Sequence, residues 1–82
     1  MKIKFLNPYS EDKMMSKTIN PNAKGYEGKA DGGFIFNFTA CCGRHFCLEK
    51  FSDGSYKFMS AYYPEDPFDW GEYDEEDFLV ED

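Results

Sequence analysis

Apolar and polar residues alternate through Lys2-Ile3-Lys4-Phe5-Leu6, with Ile3 and Phe5 on one side and lysines on the other. That period of two predicts a short edge strand, closed by Asn7-Pro8. The next stretch loses the alternation. Ser10 is placed to cap a short helix over residues 11–17, with Glu11 and Asp12 in its first turn, Lys17 near its end and Met14 and Met15 as its apolar contacts. Asn20-Pro21-Asn22 stops it. Residues 23–33 are polar and hold four glycines, which predicts a mobile loop.

Phe34-Ile35-Phe36-Asn37-Phe38-Thr39 is the clearest strand, with Phe34, Phe36 and Phe38 sharing one face. Cys41-Cys42-Gly43 reads as a turn. A strand over 44–51 then meets another over 55–63 across Asp53-Gly54, a strong hairpin signal because a type I′ turn needs positive φ at both centres. A two-residue turn sets Phe51 opposite Tyr56, Leu48 opposite Met59, Phe46 opposite Ala61 and Lys50 opposite Lys57. Phe46, Leu48, Met59 and Ala61 then form the core face. His45, Cys47, Glu49, Phe51, Tyr56, Phe58 and Tyr62 take the other. Pro64 ends the last strand, and Pro67 keeps the residues after it from joining a ladder. Residues 74–80 are expected to form one or two helical turns, with Phe78, Leu79 and Val80 docking on the sheet. The fold class read from this pattern is α+β: one small domain over 1–82, with an antiparallel sheet of three to four strands, a short N-terminal helix and an acidic C-terminal segment over 64–82.

Composition supports a real core. The 82 residues include nine Phe, six Tyr and one Trp but only three Leu, three Ile and one Val. A fold this small lies near the lower limit for stability on a hydrophobic core, and large rings bury much area per residue. Such an aromatic share also argues against a disordered chain. Three cysteines, Cys41, Cys42 and Cys47, make an odd set unlike the even disulfide framework of small secreted domains. With no apolar stretch of signal-peptide length at the N-terminus and none of the roughly 18 residues a bilayer crossing needs, the chain is expected to be cytoplasmic with reduced thiols.

Charge is distributed unevenly. Residues 64–82 carry ten acids and no Lys or Arg, while residues 1–63 hold nine Lys/Arg and six Asp/Glu. The net charge of -7 therefore divides into +3 for the body and -10 for the end. Phe68, Trp70, Tyr73 and Phe78 are threaded among those acids.

Catalytic chemistry finds little support. Cys41, Cys42, His45 and Cys47 supply thiolate and imidazole ligands within seven residues. Adjacent cysteines strain tetrahedral geometry, though, and no second ligand pair lies farther off to close a zinc site. Buried apolar cysteines are the better reading. His45 and Cys47 share a strand face, but no Asp or Asn is placed to orient the histidine as in a nucleophilic pair. Gly25-Tyr26-Glu27-Gly28 and Asp31-Gly32-Gly33 lack the spacing of a phosphate-binding loop, and the terminal acids do not follow the EF-hand pattern. No enzyme activity, metal or cofactor is expected.

Two resemblances bear on function. Lys2-Ile3-Lys4-Phe5-Leu6-Asn7 and Phe34-Ile35-Phe36-Asn37-Phe38-Thr39-Ala40 resemble the first strand and the aromatic strand of cold-shock nucleic-acid-binding domains, although Glu27-Gly28-Lys29 departs from that family's glycine-aromatic strand. This resemblance implies nucleic-acid binding, and aromatics on a basic sheet can stack on single-stranded bases, so the alternative reading is a single-strand-binding module using Phe36, Phe51, Tyr56, Phe58 and the body lysines. In size, charge and aromatic content the chain resembles the small acidic inhibitors of phages and mobile elements, including anti-CRISPR and anti-restriction proteins that mimic nucleic acid. That resemblance is compositional and transfers no residue roles. The acidic segment favours the second reading, because rings interleaved with carboxylates suit a basic groove in which rings anchor and acids steer. The expected function is a non-enzymatic inhibitor of a basic nucleic-acid-binding protein of the host or a defence system. Asp66, Asp69, Glu72, Asp74, Glu75, Glu76 and Asp77 stand in for phosphates, and Trp70 and Tyr73 serve as anchors.

Overall fold

A computed structural model describes the backbone of residues 1–7, 10–40 and 43–81, and the side chains of all of these except 7 and 10–12. The described elements are β1 (Lys2–Asn7), β2 (Ser10–Thr18), β3 (Tyr26–Gly28), β4 (Phe34–Thr39), β5 (His45–Lys50), β6 (Tyr56–Ala61), β7 (Gly71–Glu72), a 3-10 turn (Glu75–Asp77) and β8 (Phe78–Glu81). They make two antiparallel sheets, ordered β2-β1-β8 and β3-β4-β5-β6-β7. The α+β expectation is overturned: among the described residues the chain is a two-sheet β protein, and its helical content is the single 3-10 turn.

The expected N-terminal helix is strand β2. A seven-residue helix is marginal without packing. As a strand, the same stretch pairs with β1 from Lys2↔Thr18 to Leu6↔Met14 and sets Met15 beside Phe5 on the inner face. β1 keeps its alternation, with Ile3 and Phe5 buried and Lys2 and Lys4 outside. It is a central strand rather than an edge, because β8 pairs along its other side through Phe5↔Phe78 and Ile3↔Val80. Phe78 and Val80 therefore dock as expected, but in extended form, while Leu79 is left exposed. The stretch 23–33 is not one long loop either. It contains β3, and the Asn37 N–H donates to Gly25 O (3.0 Å) just beyond it.

The β5–β6 hairpin forms where Asp53-Gly54 signalled it, with a register one residue away from the expected one. Its loop has three residues, Ser52-Asp53-Gly54. The Phe51 N–H donates to Ser55 O (2.9 Å), the Gly54 N–H donates to Phe51 O (3.0 Å), and Gly54 adopts φ +90°. Leu48 consequently faces Phe58, Phe46 faces Ser60, and Cys47 faces Met59. A one-residue slip exchanges the two faces of a strand. Phe58, assigned to the outer face, is fully buried, whereas Met59 lies on the side of Cys47. The unfavourable Lys50–Lys57 pair disappears, since Lys57 faces Glu49 and Lys50 faces Tyr56.

Between the sheets, Ile3, Phe5 and Ile19 pack against Phe34, Phe36, Phe46, Leu48 and Phe58. Phe5 of the smaller sheet meets this aromatic layer, its ring centroid 5.0 Å from Phe46 and 5.2 Å from Phe58. Ser60 is buried among these rings, and its hydroxyl accepts from both Nε and Nη2 of Arg44 at 3.1 and 2.9 Å. No described helix is long and apolar enough to cross a membrane.

Candidate partner-binding site

After β6 the chain enters its acidic end, and the first part of that end folds on its own carboxylates. Asp66 Oδ1 accepts the Phe68 N–H (2.9 Å), and Asp69 Oδ2 accepts the Tyr63 N–H (2.6 Å). Backbone bonds from Asp66 N to Tyr63 O and from Asp69 N to Asp66 O tighten the same loop. Trp70 is half-buried and donates through Nε1 to Pro64 O (3.1 Å). With Pro64 it lines a cavity of about 260 Å³ against Asn37, Thr39 and His45 of the larger sheet. Asp66 and Asp69 thus each commit one oxygen to holding the loop. Phe68, which sequence reasoning left out of the binding set, projects from it 95% exposed.

The second part is anchored to the core. β7 pairs with β6 through Met59↔Glu72 and Ser60↔Gly71, and the Tyr73 N–H donates to Phe58 O (2.8 Å). The Tyr73 ring lies 4.7 Å from that of Phe58, and its hydroxyl donates to Leu6 O of β1 (3.2 Å), joining the two sheets. Burial raises the Tyr73 pKa above the ordinary 10.0, against the opposing effects of the Ser60 hydroxyl and Arg44. Tyr73 therefore holds the scaffold, with its hydroxyl already engaged.

Asp74 precedes the 3-10 turn without a side-chain cap, and Phe78 returns to the core 5.6 Å from Phe58. Glu72, just before Tyr73, and Asp74, Glu75 and Glu76, between Tyr73 and Phe78, are exposed, and Asp77 is half-buried. The ion pairs among the described residues are Lys4–Glu81 and Lys29–Glu49, so these four carboxylates face solvent unpaired. Of the expected binding residues, the structure brings Glu72 to Asp77 together on one anchored stretch and places Asp66, Asp69 and Trp70 in the preceding loop.

The other candidate chemistries fare differently. Cys41 and Cys42 lie outside the described residues. Cys47 is a buried free thiol, its pKa raised first by desolvation and then by Glu49, which leaves it protonated and unreactive. His45 Nδ1 is 2.9 Å from Thr39 Oγ1. No group of three potential metal ligands occurs among the described residues. The rings proposed to stack on bases are largely withdrawn: Phe36 and Phe58 are 2% and 0% exposed, and Phe51 is half-buried beneath Lys29, which also pairs with Glu49. Comparison with protein-family models, curated proteins and solved structures gave no match.

Proposed function

We propose that this protein is a non-enzymatic inhibitor acting in the cytoplasm, which covers the nucleic-acid-binding surface of a basic host or defence protein. One observation carries the reading: Glu72, Asp74, Glu75 and Glu76 are exposed, and without an ion pair among the described residues, on a stretch pinned by Tyr73 and Phe78. The backbone that carries them is held before a partner arrives, which lowers the entropy lost on binding. A groove built for phosphates presents Lys and Arg, and these acids meet it with the charge that nucleic acid would bring. The burial of Phe36 and Phe58 weighs against the single-strand-binding alternative, which needs them accessible.

The test is a mobility-shift assay of purified RNA-guided nucleases and restriction enzymes with their nucleic acids, with this protein as competitor. The expected result is loss of the nucleic-acid complex for a member of that panel, with inhibition fading steeply as salt rises. The Glu75→Lys/Glu76→Lys double variant should inhibit at least about tenfold less well. Truncation is unsuitable as a control, because β8 belongs to the core sheet. Direct binding of nucleic acid by the protein itself, or full inhibition by the charge-reversed variant, rejects mimicry.

A further inference from the structure

We infer that the loop carrying Phe68 in one copy docks into a basic groove of a second copy. The groove lies where the two sheets diverge. β3 leaves β4 after Tyr26↔Phe36, and beyond the Asn37–Gly25 bond no described strand separates the end of β4 from the end of β2. A cleft of about 570 Å³ opens there, lined among others by Lys17, Lys24, Asn37, Phe38 and Thr39. Its wall is built closely: Gly25 has φ +95°, and a Cβ on it would collide with the Asn37 carbonyl oxygen. In a chain of net charge -7 this cleft is lined by two lysines and, among the described residues, no carboxylate. Neither lysine has an ion pair among the described residues, and Lys17 Nζ stands 5.7 Å from the Phe38 ring centroid.

The 62–70 loop has the opposite character. Phe68 is 95% exposed, so its own groove does not hold it, and Glu65 and Asp66 beside it are exposed acids. The Asp66–Phe68, Asp69–Tyr63 and Trp70–Pro64 bonds fix the loop before any partner arrives, which lowers the entropy lost on docking. Burying a phenylalanine ring favours association by roughly ten- to hundredfold. The overall repulsion between two acidic copies is screened beyond about 8 Å at physiological salt. What remains is the local attraction of Glu65 and Asp66 for Lys17 and Lys24. Loop and groove are different surfaces of one chain, so the contact is heterologous and repeats from copy to copy unless the rotation closes a ring. It uses the 62–70 loop and does not rest on mimicry by residues 72–76.

Sedimentation velocity of the purified chain tests this from about 10 μM to about 1 mM, the range of weak self-association. The expected result is an average mass that rises with concentration at about 0.15 M salt, where the net repulsion is screened, and falls back toward the monomer near 0.5 M salt, where the screening length is roughly halved. Phe68→Ala alone and Lys17→Glu/Lys24→Glu alone should each weaken association at least about tenfold. Mixing the two variants should restore a dimer, because one supplies an intact groove and the other an intact loop. All three side chains are exposed, so the variants keep the core. A wild-type chain that stays monomeric throughout, variants that associate as wild type, or a mixture that stays monomeric overturns the proposal.

Discussion

Tyr73 lies where the two sheets meet, with its ring on Phe58 and its hydroxyl on the Leu6 carbonyl. Removing only the hydroxyl, as Tyr73→Phe, should cost about 1 kcal/mol by urea unfolding, the ordinary worth of one hydrogen bond. Tyr73→Ala also removes the ring and should cost about 3–4 kcal/mol. Equal costs for the two variants would mean that the ring packs against nothing. In the sequence Tyr73 looks the same as Phe68: each is an aromatic residue among acids. Their opposite fates, one bridging sheets and one standing in water, depend on what lies across from them. No local pattern carries that information. The same holds for Asp66 and Asp69, whose carboxylates are partly consumed by N–H groups that a count of charges does not see.

Among the elements, β4 and β1 were legible because period-two alternation is a local property, and the Asp53-Gly54 turn announced its hairpin. The register was not legible. Two-residue and three-residue loops both use Asp-Gly, and the three-residue one is reinforced by Asp53 Oδ1, which accepts from Ser55 N (2.9 Å) and Ser55 Oγ (2.6 Å). Those two bonds lower the Asp53 pKa below its ordinary 3.8. A lowered folded-state value means that the contribution to the turn is present above the unfolded value and is lost as pH falls through the folded one. Acid titration followed by NMR at the Ser55 amide should therefore show a midpoint below 3.8. A midpoint at or above it would leave the loop without this clamp. At β2, Met14-Met15 among polar neighbours fits a helix as well as a strand, and only the open side of β1 decided between them.

For the molecule as a whole, the one-residue register shift selects which side chain of β6 the core is built on. Phe58 touches Phe5, Phe46, Tyr73 and Phe78, with ring centroids 4.7 to 5.7 Å away. Phe58→Ala should cost about 3–5 kcal/mol, and Met59→Ala, on the other face, clearly less. Thermal or urea unfolding of the two variants measures the difference, and the reverse order would restore the two-residue turn. Net charge, its division into a basic body and an acidic end, and the aromatic supply of the core are sums over residues, so they were settled before any fold was known. The alternation of β1, β4, β5 and β6 was nearly as secure, since each period is written within a few residues, whereas β2, β3 and β8 were not read as strands. While the hairpin register and the commitment of Asp66 and Asp69 turned on hydrogen bonds within their own loops, the central position of β1 and the burial of Phe58 came from contacts between segments distant in the chain. Those contacts are set by which faces can be buried together, and that competition exists only once both sheets are in place.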